Sequence, residues 1–173
     1  TNLKVQSIQA LVVKRDIIIK NNLKMVEGAA GQDTLFFQEL LLNTQKVKAL
    51  NLDVHIYYAA VDNSVTNTVG RKFYEKYYKV EIERFKFLRK NNLFELYIEN
   101  KFPFYFTNWY LKKLCFVKKD ELTQSLEIIW NIYEMYEPYI KKKNEVLLNF
   151  ERLYNNKNFD QLLKFLIGYF KLS

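Results

Sequence analysis

A chain of 173 residues, 49% hydrophobic and 17% aromatic, has the material for a compact core and is not the composition of a disordered polymer. One cysteine and one histidine exclude an internal disulfide and a Cys/His zinc cage, and they fit a reducing compartment. The net charge of +8 is lopsided: residues 1–70 carry 7 basic and 6 acidic groups, residues 71–173 carry 20 and 13, so the second half either attracts an anionic partner or is simply a solvated helical surface.

Only two prolines and four glycines are present, which favours long helices over short turn-linked strands. In chain order, residues 8–13 read as a buried strand or the start of a helix. Asp16 is placed to cap a short helix through Lys20, which the Asn21-Asn22 turn ends. Residues 23–26 read as extended and Gly28-Ala29-Ala30-Gly31 as a small-residue loop. A largely buried helix follows over about 34–44, with Phe36/Leu40 and Phe37/Leu41 four apart. Residues 47–50 and 54–59 are strand candidates, and Asp62-Asn63-Ser64 is a turn. From Gly70 the period becomes helical, with Phe73, Tyr77, Val80, Arg84, Phe87 and Leu88 on one stripe reaching Asn91. Further helices are expected at 93–100, 104–116, 120–137, 144–155 and 158–170. Asp120 is a candidate N-cap there, and Pro138 a helix stop. The fold class expected is α+β, predominantly helical, with a boundary near residue 68. No leader is visible at Thr1, and no apolar run approaches the ~18–20 residues that span a bilayer, so a cytoplasmic or peripheral protein is expected.

The chemistry concentrates at Glu27-Gly28-Ala29-Ala30-Gly31-Gln32-Asp33. A small-residue loop there ends in a carboxylate at the start of an apolar helix, a mounting that suits a general base. The plain alternative is that Asp33 is only an N-cap.

Three segments occur in order: residues 14–28, from Lys14-Arg15-Asp16 to Glu27-Gly28; the helix Leu35-Phe36-Phe37-Gln38-Glu39-Leu40-Leu41; and His55-Ile56-Tyr57-Tyr58-Ala59-Ala60-Val61-Asp62-Asn63-Ser64-Val65-Thr66-Asn67. Together they resemble the second half of the catalytic domain of family 2 inverting glycosyltransferases of the GT-A fold. In that family a basic segment leads through an N-x-x-F-x-E-G strand to a loop ending in Glu-Asp. A buried helix, an aromatic strand and an S-x-T turn follow. The resemblance covers about residues 8–68. It implies residues 1–68 as the C-terminal part of a GT-A-like catalytic domain and residues 69–173 as a helical subdomain. Asp33 matches the second acid of the Glu-Asp pair and is implied to deprotonate an acceptor hydroxyl. Gln32 stands where the family has Glu and keeps hydrogen bonding without the charge. Ala59 and Ala60 stand where the family often has Arg. Ser64 and Thr66 either contact substrate or stabilise their turn. His55 is a metal-ligand candidate, with a satisfied core histidine as the alternative.

The resemblance also implies a nucleotide-sugar donor, a glycan or lipid-linked acceptor in cell-surface polysaccharide synthesis, and a divalent cation (Mg or Mn). The family's Asp-x-Asp cation motif is absent from this sequence, as is a Gly-rich phosphate loop. A chain inactive alone, lacking the donor half, is therefore expected. A rival reading is a basic helical module for an anionic membrane surface or nucleic acid, from Lys112-Lys113, Lys118-Lys119 and Lys141-Lys142-Lys143. No nucleic-acid motif is present. A third reading is a helical tail that forms a homo-oligomer.

Overall fold

A computed structural model describes residues 11–51 and 68–172. Among these residues every regular element is a helix and none is a strand. The α+β expectation, with its partial GT-A-type α/β segment, is therefore corrected: over the described residues the fold is all-helical. Residues 11–13 and 47–50 run without regular structure, and Val12, Val47 and Leu50 are exposed. β-branched residues alone do not make a strand: it needs a paired edge and a buried face, and these segments have neither. The strand expected at 54–59 and the turn at 62–64 lie outside the described residues.

The first helix, α1 (Arg15–Lys20), buries no side chain, and Asp16 sits in its first turn while Lys14 occupies the N-cap position. In α2 (Gln32–Leu42) one face is buried, through Leu35, Phe37 and Leu40. Leu42 is exposed, so this helix is less covered than its composition implies.

The long α3 (Arg71–Lys90) organises everything after it. Its buried residues are Phe73, Tyr74, Tyr77, Val80, Glu81, Arg84, Phe87 and Leu88, a stripe at helical spacing that matches the sequence expectation. Gly70 precedes it in extended backbone, and a Cβ there would fall 1.9 Å from Glu121 Oε2. That close approach lets the Glu121 carboxylate accept from the Arg71 amide at 3.2 Å, an anion at a helix N-terminus. Asn92 in left-handed backbone ends the run.

After α4 (Phe94–Asn100), α5 (Phe102–Tyr105) carries Pro103 in its first turn, continues as a wide π-helical turn (Phe106–Leu111) and closes as α6 (Lys112–Leu114). The helix expected at 104–116 is thus present but widened in the middle. A 3-10 turn (Lys119–Glu121) leads into α7 (Leu122–Tyr136). Asp120 lies inside that turn and is not the cap, because Glu121 takes the N-cap position. Pro138 stops α7 as expected, within the 3-10 turn Glu137–Tyr139. Asn144 caps α8 (Glu145–Asn155) through the Leu147 amide at 2.9 Å, and Asn158 caps α9 (Phe159–Phe170) through the Gln161 amide at 3.3 Å.

Aromatic rings fill the space between these helices. Tyr136 of α7 meets Phe102 at 4.3 Å between centroids, Phe106 meets Tyr133 at 5.0 Å, and Trp130 stacks on Tyr154 at 4.2 Å. Inside this apolar mass lies one ion pair, Glu81 with Arg84, both buried. Tyr110 donates to Glu81 Oε1 at 2.7 Å and Tyr136 donates to Oε2 at 2.8 Å, so both carboxylate oxygens are satisfied. Tyr74 donates in turn to the Tyr110 carbonyl at 3.1 Å.

Removing one member of the pair strands a buried charge. Glu81→Leu or Arg84→Met alone is expected to destabilise the protein by about 3–5 kcal/mol. The double variant should lose less than the two single losses combined, as read by urea unfolding monitored by circular dichroism.

Candidate functional site

The loop before α2 is shaped by two glycines and pinned to α3. Gly28 and Gly31 both take positive φ, +68° and +70°, and a turn joins the Ala29 amide to the Val26 carbonyl at 3.2 Å. Ala30 is buried, and its amide donates to the Lys76 carbonyl of α3 at 3.2 Å. Gly31 then passes over Tyr77, where an added Cβ would lie 2.9 Å from the ring. Position 31 thus requires glycine twice, for its backbone angle and for the approach. At Gly28 an added Cβ would lie 3.3 Å from Lys79 Nζ, which puts a cation beside the loop.

Gly31 is also the N-cap residue of α2, so the carboxylate of Asp33 is not the cap. Asp33 is the second residue of the helix and half-buried, and its Oδ1 accepts from the Thr34 amide at 3.0 Å. Half of the carboxylate is thereby oriented by the helix start, where negative charge is favoured. Tyr77 stands under the same loop. Burial, then the neighbouring Tyr105, and further Asp33, push its phenol well above the ordinary tyrosine range, so it stays protonated. Trp109 abuts Tyr77 edge-on at 5.9 Å.

The sequence-derived candidates are therefore only partly assembled. Asp33 and Gln32 share the first turn of α2, both half-buried. Ser64, Thr66 and His55 lie outside the described residues. Lys14 and Arg15 are exposed at the start of α1. No group of three or more His, Cys, Asp or Glu among the described residues could hold a metal ion, so the divalent cation implied by the resemblance finds no ligand set there. Tyr77 and Lys79 were not legible as neighbours of the loop. The stripe on α3 placed Tyr77 inward, but nothing in the sequence said which loop it would meet.

Cys115 is half-buried and free, and burial pushes its thiol up to about 11. It is poorly suited to nucleophilic work, and iodoacetamide should alkylate it far more slowly than an unfolded-chain cysteine at mildly alkaline pH.

Comparison of this chain with protein-family models, with curated proteins and with solved structures gave no match.

The loop geometry yields a paired test. Gly31→Ala should destabilise by about 1–3 kcal/mol through its left-handed backbone and the clash with Tyr77. Gly168→Ala, within α9 and facing open space, should stabilise by about 0.4–1 kcal/mol. Thermal melting of both variants reads the difference.

Proposed function

We propose that this chain supplies the acceptor side of a nucleotide-sugar-dependent inverting glycosyltransferase, with Asp33 as the base. The observation that carries the reading is the half-buried Asp33 carboxylate, mounted on the first turn of α2 behind a glycine-shaped loop clipped to α3. The order of residues from Glu27 to Asp33, and their resemblance to the base-bearing loop of family 2 glycosyltransferases, supplies the reaction class.

In this mechanism an acceptor hydroxyl donates to the Asp33 oxygen that Thr34 does not hold. As the acceptor oxygen attacks the anomeric carbon, its proton passes to Asp33. The bond from that carbon to the nucleotide diphosphate breaks on the opposite face, and configuration inverts. A carboxylate is a sufficient base because the hydroxyl acidifies as attack proceeds. Tyr77, held protonated by burial, does not compete for the proton. Gln32 can hydrogen-bond a neighbouring acceptor hydroxyl from the same turn. The donor diphosphate is held by groups other than those described, since neither an Asp-x-Asp motif nor a phosphate loop occurs in the sequence.

Asp33→Asn, made in the gene that encodes this chain, should lower transfer from labelled nucleotide sugars by about 10²–10⁴-fold, while the lost charge at the helix start costs only about 0.3–1 kcal/mol of stability. Turnover within a few-fold of the parent protein would remove Asp33 from the chemistry.

One surface favours a second role, attachment to an anionic membrane. Phe116 is 57% exposed and is flanked in sequence by Lys112-Lys113 and Lys118-Lys119. In the Lys141-Lys142-Lys143 triplet, Lys141 pairs with Glu99 and Lys143 with Glu137 and Glu151. No described helix is long and apolar enough to cross a membrane, so contact here would be peripheral. Flotation with phosphatidylserine vesicles should be lost in high salt and weakened by Phe116→Ser. Salt-sensitive binding to DNA with no flotation would instead support a nucleic-acid module.

A further inference from the structure

We draw no further inference here: the strongest candidate, the exposed lysine face of α3 formed by Lys72, Lys76 and Lys79 alongside the Gly28–Gly31 loop, carries none because nothing in the structure shows what covers it.

Discussion

The carboxylate of Glu81 sits where α3, the π-helical turn and α7 meet, and the arrangement of these three elements depends on how it is satisfied. An ion pair in so apolar a place gives up hydration that its mutual attraction only partly returns. The deficit is met by directional bonds, one phenol on each carboxylate oxygen, from Tyr110 and Tyr136. Because those tyrosines come from different elements, satisfying the charge also fixes the rotation of both elements relative to α3. Hydrophobic packing alone would tolerate several rotations of such ring-rich helices; the hydrogen bonds select one. The widened turn belongs to the same arrangement. It carries Tyr110 to Glu81 while Phe106 faces Tyr133 in the core.

Rigidity at α3 is passed to the loop before α2. The contacts of Ala30 with Lys76 and of Gly31 with Tyr77 fall within six residues of Glu81, on a helix whose register is held by that buried pair. The loop has few bonds of its own, and its left-handed glycines are costly to order in isolation. Docking on an already fixed helix offsets that cost. The direction of the Asp33 carboxylate is then set twice, by the Thr34 amide and by the seat of the helix that carries it. A base needs this kind of support when it must meet a hydroxyl in one orientation.

Much of the helical half was legible because burial there follows one period. The α3 stripe, the stop at Pro138 and the extents of α4, α8 and α9 could be read from apolar spacing and cap residues. Asp120 was misplaced because a 3-10 turn and an α-helix begin with the same residue types, and only the tertiary position of Glu121 against Gly70 decides between them. Residues 47–50 misled for another reason: strand propensity reports how well side chains fit a half-buried sheet, and no sheet is present among the described residues to bury them. At the candidate site, the glycine spacing and Asp33 were visible, whereas the alternative of Asp33 as cap failed because Gly31 takes that position in left-handed backbone. The partners Tyr77 and Lys79 come from more than forty residues away, beyond the reach of any local pattern.

The outer surface follows a related logic. Among the described residues most Tyr and Phe rings and both tryptophans are buried or half-buried between the helices, so a strongly exposed ring has forgone burial that its neighbours obtain. The company such a ring keeps then defines what it can meet. Phe116 is flanked in sequence by the pairs Lys112-Lys113 and Lys118-Lys119. Phe104 stands among the amides of Asn100, Asn108 and Asn144, where the Glu99 carboxylate is already paired with Lys141. The two rings are therefore not interchangeable patches of apolar area.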